Sequence, residues 1–247
     1  MNYSIFFILL IGHFLGDFYF QTDGIARNKN GCKSKLIKHC LLYTLAMLIM
    51  ILPVFSINLL ICSLIISLIH FVVDLIKSNM KNREKNEVGI YLVDQVIHIL
   101  VILGFSIFIS QNIDLFYISS IRNLFDLFKV DDLMVLSVIL SLLIINKPAS
   151  ITIKIVLAKY GSFTKEEKEG VPNTGALIGE LERFIILLML TQGQYAAIGF
   201  ILTAKSIARY KKIVDEIRFS EYYLLGTFLS TLIVIITYLL VFSPFFS

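Results

Sequence analysis

The sequence predicts an all-α, polytopic integral membrane bundle of about seven to eight membrane helices, with one amphipathic helix lying along the interface. Three observations carry that prediction. The 247-residue chain is 57% hydrophobic and only 16% charged, with a mean hydropathy of +0.83, more apolar surface than a soluble domain of this size can shield from water. Its apolar residues gather into runs close to the ~20 residues that a bilayer-crossing helix needs. Its basic residues cluster in alternate loops, the pattern left by loops that stay on one side of a membrane.

Eight apolar runs are candidate spans: 4–20, 38–55, 58–76, 90–109, 133–147, 176–192, 195–209 and 222–243. The first is apolar from Ile5 to Ile11, then interrupted by His13 and Asp17, with neither a basic start nor a small-residue cleavage site; it reads as a retained span, not a signal peptide. Several runs are short for a full crossing, so tilt or partial insertion is expected of them. Segment 112–132 differs: Ile113, Phe116, Ile121, Leu124, Phe125 and Phe128 recur at helical spacing between Asp114, Arg122, Asp126 and Lys129, as in a helix lying on the outer membrane face. Residues 176–209 read either as two spans or as a re-entrant hairpin turning at Gly193. The chain thus divides into a four-helix bundle (1–110), an interfacial helix and linker (111–132), and a C-terminal membrane region (133–247).

The net charge of +4 matters less than its placement. Arg27, Lys29, Lys33, Lys35 and Lys38 follow the first span, and Lys77, Lys81, Arg83 and Lys85 follow the third. Lys147, Lys154, Lys159, Lys165 and Lys168 follow the fifth, and Lys205, Arg209, Lys211, Lys212 and Arg218 follow the seventh. With the N-terminus outside, all of these fall on the cytosolic side, and only Arg122 and Lys129 fall opposite. The loop from Gly161 to Gly175, with the run KEEKEGVPNTG, reads as a solvated connection. Cys32, Cys40 and Cys62 form no spaced framework, so no structural disulfide is expected. Trp is absent, which leaves any interfacial aromatic belt to Tyr and Phe.

All four histidines lie in the first four helices. His13–Asp17, His70–Asp74 and Asp94–His98 are each spaced i,i+4, which places each pair on one helix face. Helices one and three run toward the cytosol and read His then Asp; helix four runs away from it and reads Asp then His. In all three the carboxylate therefore sits near the cytosolic boundary with the imidazole one turn deeper. Helix two supplies His39 at the carboxylate level and Tyr43 one turn deeper. Ionisable groups at membrane depth are expensive unless they pair or bind something. Neutral imidazoles and carboxylates are ligands for zinc above all, and for manganese or iron, and bundle cores house such sites. The candidate ligands are His13, His39, His70, His98, Asp17, Asp74 and Asp94, with His13, His70 and His98 as first choice and Asp17, Asp74 and Asp94 sharing ligation and the role of catalytic base on metal-bound water. The rival readings are buried hydrogen-bonded pairs that fix packing, and a bis-histidine haem, which leaves three carboxylates unexplained.

A second cluster opens the sixth helix. Glu182 and Lys205 lie nearly equidistant from Gly193 and can face each other across a hairpin as an internal clamp. Alternatively Arg183, Lys205 and Arg209, with Glu182, form a cradle for an anionic headgroup or phosphate.

The strings HFLGDFYFQTD, KHCLLYTL, HFVVDLIKS and DQVIHIL, with GALIGELERFIILLML and ILTAKSIARYK further on, resemble the bacterial membrane family catalogued as domain of unknown function 3307. The resemblance covers most of the chain, with 13–98 as its defining part, and implies a bacterial inner-membrane protein. In style the His/Asp pattern is also similar to membrane-bound metal-dependent hydrolases, an analogy that does not fix function.

These readings lead to a metal-dependent hydrolase at the cytosolic edge of the bilayer, acting on an amphiphilic or anionic, lipid phosphoester-like substrate. An ion or metal transporter is the alternative. The polar layer lies near one surface and the N-terminal helices read as lacking Pro or paired Gly at its depth, both against a transport site, which is expected near the midplane on broken helices. A non-enzymatic anchor or sensor with a structural metal is the third reading. Membrane lipid is the expected partner, together with a cytosolic protein docking on the basic loops; nucleic acid is not expected.

Overall fold

The computed structural model describes residues 3–20, 33–80, 86–113, 116–160 and 174–245. The predicted basic positions Arg27, Lys29, Lys81, Arg83, Lys85, Lys165 and Lys168, the Lys33 side chain, Cys32, Asp114 and most of the Gly161–Gly175 loop lie outside the described residues. The described residues form helices and turns, with no strand among them.

The helices are α1 (Tyr3–Phe14, prolonged by a π-helical turn, Leu15–Tyr19), α2 (Lys33–Ile51), α3 (Ile57–Ser78), α4 (Glu87–Asn112) and α5 (Ser119–Phe128). After them come α6 (Asp132–Ile145), α7 (Lys147–Ala158), α8 (Thr174–Thr191), α9 (Tyr195–Ala208), the short α10 (Tyr210–Asp215) and α11 (Ile217–Phe242). Local chemistry sets several ends. Pro53 falls in the 3-10 turn that closes α2. The Ser56 hydroxyl accepts from Leu59 N–H (3.1 Å) and Asn86 Oδ1 from Gly89 N–H (3.3 Å), which caps the starts of α3 and α4. Lys129 ends α5 in the left-handed region, at φ 51°.

Among the described residues, five helices are long and apolar enough to cross a membrane: Ser34–Val54, Ile57–Ser78, Glu87–Asn112, Asp132–Ala158 and Ile217–Phe242. By length and composition they suit a membrane protein, and they are fewer than the seven to eight membrane helices expected. The first helix, at Tyr3–Tyr19, and Tyr195–Ala208 are apolar but shorter, about 25 and 21 Å at 1.5 Å per residue against a core of about 30 Å. Helix α8 carries Glu180, Glu182 and Arg183. The run read as 133–147 continues past Pro148 to Ala158.

The chain divides into two compact units, Met1–Leu143 and Ile144–Ser247. In the first, α1 packs on α2, α2 on α3, α3 on α4, and α4 returns to α1, which closes a four-helix ring. Leu9, Ile11, Met47, Leu59, Ile66 and Ile102 fill it and are almost fully buried. Gly12 and Gly16, one turn apart on the first helix, allow α2 to come close: a β-carbon on Gly12 would lie 2.9 Å from Met47 Sδ. Asp132 gathers the far end of this unit by accepting from Ser4 Oγ (3.0 Å) and Tyr117 Oη (2.7 Å). Helix α5 buries none of its residues and exposes Leu124, Leu127 and Phe128.

In the second unit α11 packs on α7 and α8, and α9 on α8. Helices α8 and α9 form a hairpin that turns at Gly193, whose φ of +67° suits glycine.

Candidate metal centre

Four helices deliver the predicted side chains to one end of the first unit. His13, His39, His70 and His98 are 0–3% exposed, and Asp74 and Asp94 are also buried. At the carboxylate level, His39 Nε2 lies 3.4 Å from Asp17 Oδ1, 3.3 Å from Asp74 Oδ2 and 3.2 Å from His70 Nε2. His70 Nε2 is 3.8 Å from Asp74 Oδ2. One turn deeper, Tyr43 stacks on His70 with ring centroids 3.7 Å apart, and its hydroxyl lies 3.3 Å from His13 Nδ1. His98 neighbours His70 and His13, with centroids 4.3 and 5.5 Å apart, and its Nε2 is 3.5 Å from Asp94 Oδ1. The structure thus brings together all seven candidate ligands, His39 between the carboxylates and Tyr43 among the imidazoles.

Two triads have donor atoms within 4.8 Å of one another: Asp17, His39 and His70, and His70, Asp74 and His98. A neutral His39 has at most one Nε2–H to donate, yet two carboxylate oxygens and an imidazole nitrogen lie within 3.4 Å of that atom. Imidazole nitrogens with carboxylate oxygens are the donor chemistry of a zinc-type divalent ion, and either triad supplies three such donors.

Several members of the site were not singled out in the sequence. Gln95 Nε2 donates to Asp17 Oδ2 at 2.9 Å and lies 3.4 Å from Asp94 Oδ2, tying helix one to α4. Lys77 pairs with Asp94. Its position three residues after Asp74 puts it on the ligand face, a role that its place among the basic residues after the third span does not announce. Asp17 lies in the π-helical turn, where Phe20 N–H donates to Leu15 O at 2.8 Å. Such turns recur at functional sites and leave no sequence signature. Gly12 and Gly16 correct the expectation that these helices lack paired glycines at this depth. Among the described residues, the layer holds three carboxylates, one ammonium and four imidazoles.

The C-terminal candidates are placed differently. Lys205 pairs with Glu182 across the α8–α9 hairpin and donates to Thr227 Oγ1 at 3.3 Å. The Arg183 Nε–H donates to Ile145 O, while Nη2 donates to Ser150 Oγ at 2.6 Å and Asn146 O at 3.4 Å. Arg209 stands at the α9–α10 junction in a shallow groove with Lys212 and Glu216. Arg183 and Lys205 therefore have internal partners.

Residues 5–125 match the model of a family described as "Protein of unknown function (DUF3307)". No curated protein and no solved structure matches the chain.

Proposed function

We propose that this chain, whose residues 5–125 match the DUF3307 family model, is a metal-dependent hydrolase of a bacterial inner membrane. It acts at the cytosolic edge on an amphiphilic, anionic substrate of lipid-phosphoester type. The observation that carries the reading is the position of His39 Nε2, within 3.4 Å of His70 Nε2, Asp17 Oδ1 and Asp74 Oδ2, inside a buried layer at one end of a helical bundle.

Asp17, His39 and His70, or His70, Asp74 and His98, would hold the ion, with His13 beside them. A divalent ion there would supply a water of pKa near ~7 and polarise a phosphoryl oxygen. Gln95 fixes the rotamer of Asp17 by donating to its outer oxygen. Asp94, held by Lys77, is the carboxylate best placed to take a proton, because it lies beside His98 and outside the Asp17–His39–His70–Asp74 set. The cytosolic placement rests on the basic residues that follow alternate helices. The interfacial placement of α5 rests on its amphipathic sequence and its unburied apolar side chains.

The test is elemental analysis of detergent-purified protein beside His39→Ala, followed by phosphodiester hydrolysis assays. About one or two equivalents of zinc, manganese or iron, lost in the variant while helicity persists, are expected. A metal-free wild type after reconstitution would overturn the centre; metal without hydrolysis of any phosphoester would overturn the activity. A transport reading is favoured by one observation, the π-helical turn and glycine pair that make the first helix irregular at the site. Zinc uptake into proteoliposomes without hydrolysis would select it.

A further inference from the structure

His70 belongs to both triads of the layer, Asp17–His39–His70 and His70–Asp74–His98. A neutral imidazole has one ring nitrogen with a free lone pair, so the two triads cannot be filled together with His70 a ligand in both. Asp94, which is in neither triad, is held in another way. Lys77 pairs with it from the neighbouring helix, Gln95 Nε2 lies 3.4 Å from its Oδ2, and His98 Nε2 lies 3.5 Å from its Oδ1. Charge points the same way as ligand number. Among the described residues the layer sets three carboxylates against one ammonium, an excess of two negative charges with the imidazoles neutral. Such an excess is costly at membrane depth. One divalent ion cancels it, and a second would leave an equal excess of positive charge.

We infer that the layer holds a single divalent ion, and that the Lys77 ammonium is the fixed cation of a second position beside it, at Asp94 and His98; this rests on the metal-dependent reading above. Lys77 stands three residues after Asp74 and so shares its helix face, which carries the ammonium to the layer from the same helix that supplies His70. There it balances Asp94 whether or not an ion is bound. The chemistry of the site is then that of one ion and one ammonium, in place of the two ions about 3.5–4 Å apart that many phosphoester-cleaving sites use as a clamp.

The test titrates the detergent-purified full chain, stripped of metal, with zinc and with cobalt(II). Ions are counted by inductively coupled plasma mass spectrometry, and helicity is followed on the same samples. Wild type should saturate at about one equivalent, with a single step in the cobalt absorption bands. Lys77→Met raises the excess to three negative charges and should admit a second equivalent at Asp94 and His98. Asp94→Asn lowers the excess to one and should hold its ion about tenfold or more weakly. The Lys77→Met, Asp94→Asn double variant restores the wild-type excess and should return to one equivalent at near wild-type affinity. It also carries the test if a single variant fails to fold, because both members of the buried pair leave together. Two equivalents in wild type, with His70 a bridging imidazolate, overturn the inference, as does a count that is the same in all four proteins. A metal-free wild type overturns it together with the centre. The expected series without phosphoester hydrolysis leaves it standing and removes the hydrolase. Hydrolysis by a wild type that holds two ions does the reverse.

Discussion

Gly16 passes so close to Tyr43 that a β-carbon on it would lie 2.9 Å from the Tyr43 Cα. The obstacle is backbone, so it cannot swing aside as a side chain would. Tyr43 in turn stacks on His70 and reaches His13, which makes this approach part of the geometry of the metal layer.

Gly16→Ala should therefore lower stability by about 1–3 kcal/mol, the usual range for overpacking, and loosen the site with it. Gly104→Ala, where the added carbon meets open space, should stay within ~0.5 kcal/mol of wild type. Thermal unfolding in detergent, with metal content measured alongside, checks both. Equal effects at the two positions would show that the α1–α2 approach is not tight.

Chelation should destabilise the first unit selectively. Without an ion, a neutral His39 Nε2 donates to at most one of the three groups within 3.4 Å of it, two of which are carboxylates. A ligand at a hundred times its Kd adds about 2.7 kcal/mol to the folded state, so stripped protein should unfold several degrees lower and recover on adding zinc. Recovery by magnesium alone would point to an oxygen-dominated site elsewhere. His39→Ala should show no zinc-dependent shift.

Much of this centre was legible because helix arithmetic is strict. The i,i+4 spacing and the alternating direction of consecutive membrane helices put His39 with the carboxylates and Tyr43 with the imidazoles, and the structure has both there. Nearly equal distance from Gly193 brings Glu182 opposite Lys205 in the same way. What stayed illegible depends on backbone events without a side-chain pattern. The π-helical turn brings Asp17 within 3.4 Å of His39 on the neighbouring helix. Two of the three acceptors of Arg183 are main-chain carbonyls, which no residue type announces, beside the Ser150 hydroxyl. Fewer helices have the length and hydropathy of a span than the sequence has apolar runs, because some runs are short, as at Tyr3–Tyr19 and Tyr195–Ala208, and one carries Glu180, Glu182 and Arg183.

Lys205→Met should be far more damaging than its partial exposure suggests. It leaves Glu182, 5% exposed, as a buried carboxylate without its ammonium. Removing one member of a buried pair costs about 3–5 kcal/mol, and the lower end applies because the lysine is partly solvated. The Glu182→Gln, Lys205→Met double variant should recover much of the loss. Additive effects of the two changes would show that the pair carries no coupling.

Tyr117 gives a pH signature outside the spans. Burial, then the hydrogen bond to Asp132 and its charge, push the phenol well above its ordinary 10.0. A raised phenol stabilises the folded state fully below the unfolded value and less as pH climbs past it. Wild-type stability should therefore fall above pH ~10 by up to about 1.4 kcal/mol per pH unit more than in Tyr117→Phe. At pH 7 the variant should be the weaker protein, having lost a bond to a carboxylate worth at least about 1.5 kcal/mol. Denaturation at pH 8 and pH 11 separates the two effects; parallel losses would mean that Tyr117 ionises freely.

Arg183 and Pro148 should prove coupled although they sit on different helices. Pro148 has no N–H to return to the carbonyl of Ile144, and the chain breaks at Asn146 between α6 and α7. The Arg183 fork supplies donors to the neighbouring carbonyls of Ile145 and Asn146 and to the Ser150 hydroxyl. A lysine offers one point charge in place of a planar fork, so Arg183→Lys should lose about 1.5–3 kcal/mol despite keeping the charge. Pro148→Ala restores an N–H and lets the helix run on, which lowers the demand on the fork. In that background Arg183→Lys should cost less than half as much, read as a coupling energy in a double-mutant cycle of unfolding in detergent. Zero coupling would assign Arg183 to an external anion instead of to the helix break, and would reopen its role as a headgroup ligand.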